Sequence, residues 1–395
     1  MKKRIYLDNA ATTSVLPEVF ESMRPFFTEN YANASAVYTF GQEARQAMDS
    51  ARAVIAKTLN ARPSEIYFTA GGSESDNWAL KAVAEKLSDK GKHIITTKIE
   101  HHAILHTCEY LEEHGFEVTY LTPDSDGIIS ADAVEAAIRP DTILISVMTA
   151  NNEIGTIEPI AKIGAVAKKH GVIFHTDAVQ AYAHIPMDVQ AMNIDLLSAS
   201  GHKFHGPKGI GFLYVREDVK IGPLIHGGAQ ERNRRAGTSN IPGIVGMAKA
   251  AEVVTACMEE TMSRQQELRN YLIDRLVNEI PHTTVNGSVE HRLPANVNVC
   301  FDFVEGETVL ILLDQAGICA SAGSACTSGS LEPSHVLLSL GVNQELAHGS
   351  LRISMGEDTT KEDLDFVVDK LKEIIPRLRK MSPAYQDYLS NIAGK

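Results

Sequence analysis

The sequence predicts an α/β protein with a large domain over residues 15–255, built on a mostly parallel seven-stranded sheet, and a smaller α+β domain formed by residues 1–14 and 256–395. Two observations carry this expectation. From about residue 40 to 250, seven short apolar or β-branched runs alternate with helical spacing, the pattern of a layered parallel sheet. Beyond about residue 250 the alternation stops, and longer helical patterns flank two strand-like runs.

The seven runs are IYFT (66–69), HIITT (93–97), EVTYL (117–121), TILISVM (142–148), VIFHT (172–176), DLLSA (195–199) and GFLYV (211–215). Most are rich in Val, Ile, Thr or Tyr, which favour a pleated, packed surface. Among the intervening helices, residues 44–59 place Ala44, Met48, Ala51, Ile55 and Leu59 on one face. A long amphipathic helix is expected over 249–280, strands near 297–303 and 351–355, and a final helix near 361–379. There is no low-complexity tract and no internal repeat.

With 395 residues, 44% of them hydrophobic, the chain can bury two cores. The net charge of −13 opposes non-specific nucleic-acid binding, so polyanions are poor main partners. The basic start MKKR is followed by an apolar stretch broken at Asp8 and Asn9, and no stretch approaches membrane-spanning length. A cytoplasmic enzyme is expected. The five cysteines, Cys108, Cys257, Cys300, Cys319 and Cys326, are odd in number and form no C-x-x-C pair, which disfavours a disulfide framework and a structural zinc site. Core burial is the expectation for Cys108, Cys257, Cys300 and Cys319. Cys326 differs, because SAGSACTSGS (321–330) offers only small neighbours.

Chemistry-bearing residues follow the predicted strands, where ligands of an open α/β sheet collect. Lys203 lies in GHKFHGPKG (201–209), between two strands. Asp177 follows VIFHT, and its carboxylate needs a cationic partner in a buried crevice. A lysine that holds an aldehyde cofactor, with an aspartate on a protonated pyridine nitrogen, is the arrangement of pyridoxal-phosphate (PLP) enzymes. FTAGGSES (68–75) supplies a strand, a Gly-rich turn and a helix start, a ready anion cradle. His101 in EHHA and Asn152 in ANNEIG reach the same sheet edge.

YLDNAATT (6–13), FTAGGSESDN (68–77), EHHA, NNEIG, HTDAVQ, SGHKFHGPKGIG (200–211), RRAGT (234–238), GSACTSGSLEPSH (323–335) and LRIS (351–354) occur in this order. Over nearly the whole chain they resemble the PLP-dependent cysteine desulfurases, the NifS and IscS group of the class V aminotransferase family, with HTDAVQA, RRAGT and GSLEPSH closer to the NifS branch. The resemblance implies a PLP-dependent transferase fold of type I and a homodimer. It makes Lys203 the Schiff-base lysine, Asp177 the partner of the pyridinium nitrogen, and Gln180 and Asn152 the partners of the ring's phenolic oxygen, with Asn152 also near the substrate. His101 stacks on the ring and assists proton transfer. Gly72, Ser73, Ser200 and His202 cradle the phosphate, joined by Thr238 from the other subunit, and Arg352 clamps the substrate carboxylate.

On the same resemblance, L-cysteine becomes L-alanine while Cys326 takes the sulfur as a persulfide. An iron–sulfur scaffold protein of the IscU/NifU kind is the expected acceptor, and Cys326 is an expected transient ligand to the nascent cluster. A flexible, small-residue loop suits a nucleophile that must reach inward and then outward. The chain departs from the family at Asn33–Tyr38, which lacks the proline and histidine of the N-P-S-S-x-H pattern. It also has Gly72 for the usual alanine and Ser73 for the usual threonine. The alternatives are a selenocysteine lyase or another class V enzyme, and a catalytically silent scaffold. The latter is disfavoured by the presence of Lys203 and Asp177.

Overall fold

The computed structural model describes residues 4–322 and 333–393. The strands are β1 (Ile5–Tyr6), β2 (Ile66–Thr69), β3 (His93–Thr97), β4 (Glu117–Leu121), β5 (Thr142–Ser146), β6 (Ile173–Asp177), β7 (Leu196–Ser200), β8 (Gly211–Val215), β9 (Thr283–Val285), β10 (Asn296–Phe301), β11 (Ile318–Cys319) and β12 (Ser350–Ser354). Seven of them form one sheet in the order β2-β8-β7-β6-β5-β3-β4. β4, β3, β5, β6 and β7 run parallel, and β8 pairs antiparallel with both β7 and β2. β2, β3, β5, β7 and β8 are buried along their whole length, as a sheet covered by helices on both faces requires.

Two apolar layers sandwich this sheet. One contains Ile55, Phe174, Phe204 and Phe212, with the helices Thr39–Thr58 and Ile241–Ala256 packed together above it. The other is formed by Trp78 and Leu80 of the helix Gly72–Leu87 with Ile104 and Leu111 of the helix His102–Glu113. A separate core joins Ile5, Leu7, Leu272, Val297, Leu351 and Leu371 around the three-stranded sheet β12-β10-β9. The N-terminal residues enter this core because β1 pairs in parallel with β11.

The C-terminal half differs from the sequence reading in several places. The expected helix 249–280 is two helices, Ile241–Ala256 and Met258–Glu279, bent by 70° at Cys257. The first has its apolar face on the large sheet and the second turns Leu272 and Leu276 into the other core, so one straight cylinder cannot serve both. Cys257 is half-buried at this elbow, whereas Cys108 and Cys300 are buried as expected and Cys319 is half-buried. β9, β11 and the helices Gly306–Gln315, His335–Ser339, Gln344–His348 and Pro383–Ala393 were not anticipated. Among the described residues no single helix is long and apolar enough to cross a membrane.

A buried ion pair fixes the loop that leads to Thr238. Glu231, Arg232 and Asn233 all have positive φ, 45°, 59° and 63°, which costs roughly 1–2 kcal/mol per non-glycine residue. The carboxylate of Glu231 offsets this by accepting two hydrogen bonds of 2.8 Å from Arg52 and one from the Phe68 N–H. Arg52 and Glu231 are 8% and 4% exposed. Arg52→Ala would leave the carboxylate buried without its cation, and a loss of about 3–5 kcal/mol is expected in denaturant unfolding.

Candidate active site

Five strand ends of the large sheet deliver side chains to one cavity of about 360 Å³. β6 ends in Asp177, whose Oδ1 accepts the Val179 N–H at 2.8 Å. Burial pushes this carboxyl up to about 6, opposed by the Val179 N–H and the charge of Lys203. β7 ends in Ser200, and the single 3-10 turn Gly201–Lys203 then places His202 and Lys203 on the cavity wall. The Lys203 ammonium donates to the carbonyls of Ala10 and Ala11, at 2.6 and 3.0 Å. Gln180 donates to the same Ala10 carbonyl at 2.9 Å.

β3 leads to His101, the N-cap of the next helix. Its Nδ1 accepts the Ala103 N–H at 3.1 Å, which assigns the proton of the neutral ring to Nε2. Burial, then the Lys203 charge, lowers this histidine to about 4, so it is neutral near pH 7. His202 is lowered to about 4 by the same two causes. β2 leads to Gly71, with φ at 155°, and to the helix that opens at Gly72. That helix N-terminus opens on the cavity beside Ser73, Ser200 and His202, and its free N–H groups are of the kind that bind anions.

At the other end of the cavity, Arg352 of β12 is 2% exposed. Its Nη1 donates to the carbonyl of Asn152 at 2.9 Å, and its Nη2 donates to Asp8 at 2.8 Å. Nε has no partner in the described structure. The sequence reading therefore brought ten residues to one place. Thr238 is exposed, outside the cavity of its own chain, and Cys326 lies outside the described residues.

Several lining residues escaped that reading. Asp76, Glu100 and Glu153 are buried carboxyls on the cavity wall, all shifted upward by burial, with the charge of Asp177 next in importance for Asp76. Glu100 was adjacent to a named residue, and Asp76 lay in a quoted motif, so position alone could have flagged both. Ala10 and Ala11 act through their carbonyls, for which a sequence has no side-chain signal. The RNRR run (232–235) resolves into local packing: Arg232 sits over the Tyr67 ring and Arg235 pairs with Glu74.

Residues 5–367 match the family described as aminotransferase class-V. The chain belongs to that family. Among class V relatives, a cysteine desulfurase IscS of Methanosarcina thermophila is 57% identical over 96% of this chain and 94% of its own. A cysteine desulfurase of a Nostoc species is 48% identical over 97% and 96%. Of solved class V structures, a NifS-like protein superposes with a TM-score of 0.89 at 40% identity, covering 95% of this chain and 100% of its own. A structure described as SspA in complex with cysteine gives 0.80 at 44% identity, over 89% and 99%.

One departure from the class V pattern has a spatial counterpart. A Cβ built on Gly72 would stand 2.6 Å from Cγ2 of Val179, so the valine fills the space that the usual alanine needs. Gly72→Ala is expected to cost about 1–3 kcal/mol in denaturant unfolding. Adding Val179→Ala should recover most of that loss, a non-additivity that a double-mutant cycle measures directly.

Proposed function

We propose that this protein is a PLP-dependent cysteine desulfurase that converts L-cysteine to L-alanine and carries the sulfur as a persulfide on Cys326 toward iron–sulfur cluster assembly. The observation that carries this reading is the placement of Lys203, Asp177 and Arg352 around one cavity that also opens on a helix N-terminus.

The residues fit the cofactor. Gly71 and Gly72 leave the helix N-terminus open to a phosphate, and Ser73, Ser200 and His202 add donors there, with Thr238 of a second copy completing the cradle in a homodimer. Asp177 is a buried carboxylate whose neighbouring N–H leaves room for a cationic partner, the role of a ring N–H. Bound there, PLP supplies a sink for the electron pair released at the substrate Cα. Lys203, withdrawn from the carbonyls of Ala10 and Ala11 as the uncharged amine, would take the substrate Cα proton. His101, with the proton of its neutral ring on Nε2, would stack on the ring and assist proton transfer. Arg352 orients the substrate carboxylate, with Asn152 beside it.

The thiolate of Cys326 then forms an S–S bond to the substrate sulfur as the Cβ–S bond breaks. The carbon keeps the bonding pair, takes a proton and leaves as alanine. An acceptor thiol or a scaffold protein removes the outer sulfur. The names of the relatives and the bound cysteine of one structural neighbour support the substrate.

Wild-type protein given L-cysteine and a thiol reductant is expected to release sulfide and alanine in equal amounts. Cys326→Ala should keep the visible absorption of bound PLP and lose sulfide release. Activity of that variant toward selenocysteine, with none in wild type toward cysteine, would make the protein a lyase instead. Acid provides a separate check on Asp177. Its carboxyl is raised, so its protonated fraction grows below about pH 6 and the counter-charge for the pyridinium is lost. Uptake of PLP by apoprotein, followed by absorbance, is therefore expected to weaken as pH falls through about 6, and Asp177→Asn should take up PLP poorly at every pH.

A further inference from the structure

The side of Arg352 that faces away from the cavity is held by Asp8. The carboxylate accepts from Nη2 at 2.8 Å, and Asp8 itself does not line the cavity. Asp8 is fixed by its backbone: it forms a bridge to Ser354, and the following N–H groups of Asn9 and Ala10 donate to the Ser354 carbonyl and hydroxyl. The other acid near this guanidinium, Glu153, is pushed toward its neutral form by burial. Asp8 is thus the anion paired with Arg352 before any substrate arrives.

We infer that Asp8 is a positioning residue that sets how tightly Arg352 holds a carboxylate: it fixes the plane of the guanidinium and cancels part of its charge, so that the amino-acid substrate binds in register but the product carboxylate is released. The inference rests on the proposed role of Arg352. Both effects follow from the geometry. A guanidinium held at Nη2 by Asp8 and at Nη1 by the Asn152 carbonyl presents its remaining N–H groups in a constant direction. A second carboxylate entering within a few ångströms of Asp8 meets a like charge in a poorly solvated place.

Asp8→Asn keeps an acceptor for Nη2 and removes the charge, whereas Asp8→Ala removes both. The test is calorimetric titration of the PLP-loaded protein with L-alanine and, as a ligand lacking the carboxylate, L-alaninamide. For Asp8→Asn, the Kd of L-alanine is expected to fall about three- to tenfold while that of L-alaninamide stays unchanged. Asp8→Ala should gain less than Asp8→Asn, because the guanidinium loses its fixed plane. An unchanged or higher Kd for L-alanine in Asp8→Asn, or an equal change for both ligands, would overturn the inference. Failure of wild type to bind L-alanine would remove the carboxylate site and the role of Asp8 with it. L-alanine binding without any sulfide release from L-cysteine would instead sink the desulfurase reading and leave the Asp8 inference to the two variants.

Discussion

A carboxylate buried at the end of a parallel strand is the constraint around which this site is organised. Asp177 is 5% exposed and has one backbone donor, so it is unstable as an anion unless a cation is held nearby. Lys203 supplies that charge, brought close by the one-turn connection after β7, the strand next to β6. The parallel sheet makes the meeting possible, because it puts the ends of β3, β5, β6 and β7 on one edge. Most of the other lining groups are arranged with respect to these two charges.

The N-terminal arm has a second organising role. Residues 5–8 pair with β11 and β12 in the smaller core, and residues 10–13 then cross to the large sheet, where Thr13 bonds to His202 and the backbone of His205. One short stretch of chain therefore touches Arg352 at Asp8 and Lys203 at Ala10 and Ala11. Any shift between the two cores pulls on both groups through the same backbone. This gives a physical reason for a polar, small-residue arm: Ala10 and Ala11 let carbonyls approach the lysine without side-chain obstruction.

The sheet was legible in the sequence because its strands are short runs that pack on both faces, and their boundaries moved by only one or two residues. The cavity was legible to the extent that its side chains follow those strands. The elbow at Cys257 was not, since the apolar spacing of one helix continues into the next without a proline or glycine at the break; only the need to serve two cores bends the chain there. β9 was too short and too exposed to leave a pattern. The arm's carbonyl contacts lay beyond reach for a different reason, because main-chain acceptors are the same in every residue. The exchange of bulk between Gly72 and Val179 was half visible: the glycine was noted as a departure, but its partner 107 positions away had to be found in space.

The acidic composition of the chain conceals the local electrostatics of the site. Four buried carboxyls, Asp76, Glu100, Asp177 and Glu153, line a cavity that also holds the basic side chains of Lys203 and Arg352. Were all four ionised, the cavity would repel a phosphate and a carboxylate alike. Burial raises every one of them, and the mutual repulsion of Asp76 and Asp177 adds to the shift of Asp76. In Glu100, Oε1 accepts from Thr97 and the Met148 N–H, while Oε2 has no hydrogen-bond partner among the described residues. With Asp76, Glu100 and Glu153 pushed toward their neutral forms, less negative charge opposes an anion at the helix N-terminus or beside Arg352. The number of acids in the site is thus a poor guide to its charge, because burial pushes each of them toward its neutral form.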